Sequence, residues 1–180
     1  MRVTGGELKG WVLPHGFAHH VRPSTDRMRE SLFNMLEHHQ GISGISVLDL
    51  FSGSGIIAAE FISRGAKRVV SVDLDAKNIV HQKKVKQMRE GASIWEINKA
   101  DVFKFIQKTD ERFDLIFADP PYALPDLQSL PNQVLPLLNE GGWFVFEHQP
   151  QLVFKQPVLL KKEYGQTSCS IFTVESLTSL

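Results

Sequence analysis

The chain has 180 residues and one cysteine, Cys169, so it forms no internal disulfide. That usage fits a reducing compartment, and a cytoplasmic location is expected. It has no run of 18 or more apolar residues, which excludes a transmembrane helix and leaves no expected membrane partner. The opening stretch, MRVTGGELKGWVLPHG, lacks an apolar h-region, so no signal peptide is expected. There is no excess of either charge: 20 Lys and Arg balance 20 Asp and Glu. Nucleic-acid binders usually carry a basic surplus, yet overall balance still permits a local basic face. No Gly-Lys-Ser/Thr follows the glycine-rich turn, so it is not a P-loop. Five histidines (His15, His19, His20, His38, His39) fall in the first 40 residues with no cysteine near them. A zinc site is therefore not expected, and the metal assignment is none.

What is present is an alternation. Ile45–Phe51 (ISVLDLF) reads as a buried strand, and Gly53–Gly55 turns the chain into a helix ending near Gly65. RVVSVD is a second strand, followed by the polar helix AKNIVHQKKVKQMREG. SIWEIN and FDLIFA are the third and fourth strands, separated by the short helix DVFKFIQK. DLQSLPNQVLPLLNEGG is expected to be a helix broken or bordered by prolines and closed by a glycine pair, before a fifth strand, WFVFE. PVLLKKEYG and SCSIFTVE complete about seven strands. Strands alternating with helices imply an α/β fold with a mostly parallel sheet covered on both faces. One domain over residues 1–180 is expected, with residues 1–40 as a short N-terminal extension.

In such sheets ligands bind beyond the carboxyl ends of the strands, at the topological switch point. That rule selects the loop Asp49–Gly55, then Asp73, Asp101 and Asp119, one acid at each of four strand ends. Gly53 and Gly55 allow a tight turn and close approach of a ligand to backbone. Asp73 ends the second strand, where a carboxylate can accept bonds from both hydroxyls of a ribose. Asp75 is the better cap for the following helix, which leaves Asp73 freer. Asp101 suits either an exocyclic amine of adenine or the cap of its own helix. In Asp119-Pro120-Pro121-Tyr122, two prolines stiffen a loop that cannot rejoin the sheet. The Asp119 carboxylate and the Pro120 carbonyl are then fixed acceptors for an amino group on an aromatic base, and Tyr122 offers a ring to stack on it. In the N-terminal block, Thr25 or Ser24 caps a helix running to about His38 that buries Leu32, Phe33 and Leu36. Arg22, Arg27 and Arg29 are then available for phosphates.

The motifs DLFSGSG, SVDLD, NKAD and DPPY, in this order, resemble those of class I S-adenosylmethionine-dependent amino-methyltransferases, whose fold is Rossmann-like. GGELKGWVLP, VRPSTDRMRESLFNML and EYGQTSCSIF narrow the likeness to the RsmD-type family, which methylates the N2 amine of a guanine in 16S ribosomal RNA. The resemblance spans nearly the whole chain. It implies S-adenosyl-L-methionine as cofactor and 16S rRNA or the small ribosomal subunit as partner. It implies that Asp49, Phe51, Ser52, Gly53 and Gly55 hold the methionine part, Asp73 the ribose and Asp101 the adenine amine. Asp119, Pro120, Pro121 and Tyr122 would hold a flipped guanine, and Arg22, Arg27 and Arg29 the RNA. Three rival readings share some of these features. A DNA amino-methyltransferase shares the DPPY logic, but 180 residues leave no room for an added target-recognition region. A non-catalytic cofactor-binding scaffold and an NAD-dependent oxidoreductase are the others.

Overall fold

The computed structural model describes residues 1–16, 25–88 and 92–177. Seven strands form one sheet: β1 (Ser46–Leu50), β2 (Arg68–Asp73), β3 (Trp95–Lys99), β4 (Phe113–Ala118), β5 (Leu138–His148), β6 (Leu160–Tyr164) and β7 (Thr167–Thr173). Their order is β3-β2-β1-β4-β5-β7-β6. The first five strands run parallel, and β7 pairs antiparallel with both β5 and β6. The chain leaves β1 toward β2 on one side and returns to β4 on the other. The crevice beyond β1 and β4 is therefore the switch point.

Strand alternation sorts side chains to two faces. Val47, Val69, Leu115, Phe117, Val145 and Ile171 join a core covered by α1 (Asp26–His39), α2 (Ile56–Ser63) and α3 (Ala76–Gln87). Leu48, Val70, Ile116, Phe144, Phe146 and Phe172 join the other, covered by α4 (Val102–Lys108) and α5 (Leu130–Val134). Thr25 caps α1 by accepting from the Met28 backbone N–H, and Leu32, Phe33 and Leu36 are its buried face. Of the two expected forms of the helix before β5 the broken one is found: the five-residue α5 lies between two 3-10 turns, Leu127–Ser129 and Leu135–Leu137. Pro131 and Pro136 remove two N–H donors there, and Leu138–Gly142 extend β5 instead of closing a helix.

The N-terminal residues are docked on the domain. Val3 and Trp11 pair through their backbones, and Arg2 bridges Val12. The turn between them lies on α2: the Glu7 N–H donates to the Ser63 carbonyl at 2.7 Å, and Ser63 Oγ donates to the Gly5 carbonyl at 2.5 Å. Gly6 has φ +73°, and a Cβ there would sit 1.9 Å from the Ser63 carbonyl oxygen. Left-handed backbone and a backbone clash act together, so Gly6→Ala is expected to lower unfolding free energy by more than about 1–2 kcal/mol. Urea titration checks this, and a loss under about 0.5 kcal/mol would place the turn elsewhere.

Beneath this turn lies an ion network. Glu60, fully buried, accepts from the Thr4 backbone N–H and hydroxyl, both at 2.8 Å. Its carboxylate lies 3.6 Å from Arg29 Nε and 3.5 Å from Arg64 Nη2. Arg29 also donates to the Arg2 carbonyl and to Asp26, both at 2.7 Å. Arg29 is only 1% exposed, so the expectation that it meets RNA phosphates is corrected. At its position on α1 the side chain turns inward, where Glu60 offsets the cost of burying a guanidinium.

Candidate active site

A cleft of about 1060 Å³ opens at the carboxyl ends of the strands. Asp119, Pro120, Pro121 and Tyr122 form one wall, and Gly53, Asp73, Asp101 and Phe103 another. The cap and first two turns of α1 contribute Thr25, Arg27 and Ser31 to its lining, and the β6–β7 hairpin contributes Tyr164, Gln166 and Thr167. Thus four elements far apart in sequence share one opening.

The glycine turn is built tightly. Phe51 holds φ at 58°, a left-handed conformation that a bulky residue adopts only under constraint, and its ring meets Phe103 at 6.1 Å. Phe51 lines the cleft. Ser52 does not: it is buried, its N–H donates to the Val72 carbonyl and its hydroxyl accepts from Gln82. Gln82 also donates to the Gly53 carbonyl at 2.8 Å. Gly55 caps α2 at φ +78°, and a Cβ there would lie 2.9 Å from Gln82 and from Trp95. Ser52 and Gly55 therefore shape the turn from behind, while Gly53 and Phe51 face the cleft.

Asp73 is less free than its strand-end position suggests. One carboxylate oxygen accepts from the Gly53 N–H at 2.7 Å and the other from the Asp75 N–H at 2.8 Å. Asn78 Nδ2 lies 3.3 Å from both. Asp75 does cap α3, by accepting from the Lys77 N–H. A carboxylate has about four lone-pair sites, so those bonds orient Asp73 and still leave acceptor capacity toward the cleft it lines. Asp101 caps α4 by accepting from the Lys104 N–H at 3.0 Å, and it also lines the cleft.

Asp49 is placed differently from expectation. It lies inside β1, not beyond it, and is 1% exposed. Burial, then the neighbouring Asp73 and Asp119, push its carboxyl well above the usual range. Asp119 follows β4, and burial raises its carboxyl to about 7. Tyr122 is fixed by a 2.8 Å bond between its hydroxyl and Thr167 Oγ1, which holds the ring across the mouth. Arg27 is exposed at the rim. Arg22, His19 and His20 lie outside the described residues. Among the described residues no group of three or more His, Cys, Asp or Glu is arranged to hold a metal, and no helix is long and apolar enough to cross a membrane.

Several cleft residues escape the sequence reading. Glu147, at the end of β5, lines the cleft and is 6% exposed. Its signal was the one used for the other acids, a carboxylate ending a strand, in WFVFE. Asn78, which lines the cleft, and Gln82, which braces its glycine turn from behind, sit in a polar helix with no pattern to mark them. Thr167 and Tyr164 reach the site only because β6 and β7 fold back beside β5.

The residues at hand fit an adenosine-bearing cofactor: a glycine turn crowded from behind, acceptors at Asp73 and Asp101, and the apolar surfaces of Phe51 and Phe103 between them. The family described as Conserved hypothetical protein 95 matches residues 1–173. Ribosomal RNA small subunit methyltransferase D of Escherichia coli (strain K12) is 30% identical over 148 residues, covering 82% of this chain and 71% of that protein. Among solved structures, a hypothetical protein of Thermus thermophilus superposes with a TM-score of 0.84 at 28% identity, over 97% of this chain and 99% of that one. A Thermus thermophilus 16S rRNA N2 methyltransferase, solved with AdoMet (S-adenosylmethionine) and guanosine, shares the fold with a TM-score of 0.70 at 23% identity, over 96% of this chain and 49% of that one.

Proposed function

This chain belongs to the Conserved hypothetical protein 95 family, and from that premise we propose that its cleft presents the N2 amine of a flipped guanine in 16S ribosomal RNA to S-adenosylmethionine. The chain is an rRNA methyltransferase with a Rossmann-like class I fold, and S-adenosylmethionine is its cofactor. The observation that carries the residue roles is the shared opening of Asp119–Tyr122 and the Gly53–Asp73–Asp101 wall.

When bound, the cofactor supplies an activated methyl group on a sulfonium sulfur, which keeps the electron pair of the broken S–C bond. Every other requirement falls to the chain. Asp73 and Asp101 hold the nucleoside part, and Phe51 and Phe103 cover it. A guanine amine is a weak nucleophile, because its lone pair is delocalised into the ring. Asp119 and the Pro120 carbonyl accept its two N–H hydrogens and so turn the lone pair toward the methyl. Tyr122 stacks on the base and stops it from turning. As the N–C bond forms, the nitrogen sheds one proton, and Asp119 is placed to receive it. A paired base cannot reach such a cleft, so the target is unstacked first. Arg27 at the rim and Arg22 are assigned to phosphates, and residues 1–40 are assigned as an RNA-contacting extension within a single domain.

Asp73→Asn keeps the shape and loses the charge that holds the Gly53 and Asp75 amides. Cofactor affinity is expected to fall by about 10- to 100-fold, as for the loss of a charge-assisted bond. Calorimetric titration with S-adenosylmethionine checks this, and unchanged affinity removes Asp73 from the site. The function itself is tested with radiolabelled S-adenosylmethionine and small ribosomal subunits, or their naked 16S RNA, from cells lacking this protein. Label in N2-methylguanosine after digestion is the expected result. Label in DNA or in another nucleoside would overturn the reading, and comparison of subunits with naked RNA identifies the substrate.

A further inference from the structure

Glu147 has no part in the mechanism above. It lies where a base would have to be read. In the parallel register of β4 and β5, Ala118 pairs with Phe146, so Asp119 and Glu147 come next, side by side at neighbouring strand ends. Alternation along β5 puts Glu147 on the face of Val145, the face that also carries Asp49 and Asp73. Glu147 is 94% removed from solvent and borders the cleft; its backbone belongs to the β5–β7 ladder, and no hydrogen bond joins its side chain to another described residue. Its oxygens are not among the fully buried unpartnered atoms of the described residues, so they open onto the cleft, where a donor on a bound base can replace water. Burial and the neighbouring Asp119 both push it toward the acid, with Arg29 opposing them.

Guanine has a matching edge. Its N2 amine sits beside a ring N1–H donor, whereas 2,6-diaminopurine keeps the amine and carries an N1 acceptor in place of that donor. With the amine held by Asp119 and Pro120, the next group along the edge falls toward the next strand. We propose that Glu147 is a specificity-determining residue, accepting the N1–H of the guanine whose N2 amine is held by Asp119. The proposal rests on the guanine reading above. The Glu147 carboxylate offers only acceptors, which match the N1–H of guanine and cannot satisfy the N1 acceptor of diaminopurine; the neutral acid would bring an O–H donor as well, so the discrimination belongs to the carboxylate. The lost bond would leave a buried acceptor unmatched, the situation in which polar sites discriminate most strongly.

The test first maps the guanine that the wild-type enzyme methylates in 16S RNA. Absence of any methylated guanine would defeat the guanine reading, and with it this inference, before Glu147 is touched. An RNA with 2,6-diaminopurine at that one position is then made by splinted ligation. Wild-type enzyme is expected to show kcat/KM at least about 10- to 100-fold lower on diaminopurine than on guanine. Glu147→Leu is expected to lose about 10- to 100-fold on guanine and under about fivefold on diaminopurine, so the preference collapses. Glu147→Gln, which retains a carbonyl acceptor of the same reach, is expected to keep guanine activity within about fivefold. Affinity for S-adenosylmethionine, unchanged in both variants, reports a folded site. Parallel loss on both bases in Glu147→Leu would show a structural role and overturn the proposal. So would a wild-type enzyme that treats both bases alike.

Discussion

Asp119→Ala loses at least about 100- to 1000-fold in kcat for methyl transfer, while S-adenosylmethionine affinity stays within several-fold. The magnitude is that of removing one fixed group aimed at developing charge. The split between the two readouts follows from position. Asp119 belongs to the wall formed by the DPPY loop, whereas the groups assigned to the cofactor lie on β1, β2 and α4 across the cleft. Single-turnover methylation and calorimetric cofactor binding measure the two separately. Equal loss of both would mean that Asp119 holds the cofactor instead of the base. A pH dependence accompanies this. With its carboxyl raised to about 7, Asp119 changes charge within the working range, so kcat/KM of the wild type should rise with pH through about 7 and level off above it. The effect on stability has the opposite sign. A carboxyl whose folded value lies above its unfolded value, near 3.9, binds a proton more tightly when folded. Its penalty is absent below the unfolded value and complete above about 7, so stability falls as pH rises across that window. Asp119→Asn removes that decline, which thermal melts at several pH values would reveal.

Glu60→Leu lowers unfolding free energy by about 3–5 kcal/mol, because it leaves two buried guanidinium groups, Arg29 and Arg64, without their shared carboxylate. For a chain of this size that corresponds to a fall in Tm of about 6–20 °C. Thr4 loses its acceptor in the same change, since both its N–H and its hydroxyl donate to Glu60. Loosening should therefore be greatest in the first 13 residues, which hold to α2 through Thr4, Gly5 and Glu7. Circular dichroism melts give the global figure, and hydrogen exchange at Val3 and Glu7 gives the local one. A change under about 1 kcal/mol would show that Asp26 and Glu37 suffice to compensate the two arginines. The network also explains how an N-terminal segment comes to border the cleft. Arg29 anchors α1 to α2 from one turn, and the turn before it carries Thr25 and Arg27 to the rim.

The sequence by itself determined the alternation of strands and helices, and with it the sheet and the switch point. RVVSVD and FDLIFA could be placed residue for residue because short apolar runs between polar helices have one favourable use, as buried strands. It also narrowed the cap of α1 to Thr25 or Ser24, determined the buried face of that helix, and placed Asp73, Asp101 and Asp119 at one opening, since strand ends in a parallel sheet lie on one side by geometry. Before β5 the break at the prolines was legible, but the start of the strand at Leu138 was not, because spacing alone cannot weigh a glycine pair that closes a helix against strand pairing with β4. The tertiary structure alone decided the rest. An arginine in a polar helix reads as solvated until a buried carboxylate from another element faces it, as Glu60 faces Arg29. An aspartate near a strand end reads as a ligand until neighbouring strands enclose it, as they enclose Asp49. A glutamate in the fifth strand gains meaning only when the β4–β5 register sets it beside Asp119. In each case the deciding quantity is burial next to a charge contributed from far along the chain, and local sequence does not encode that neighbour.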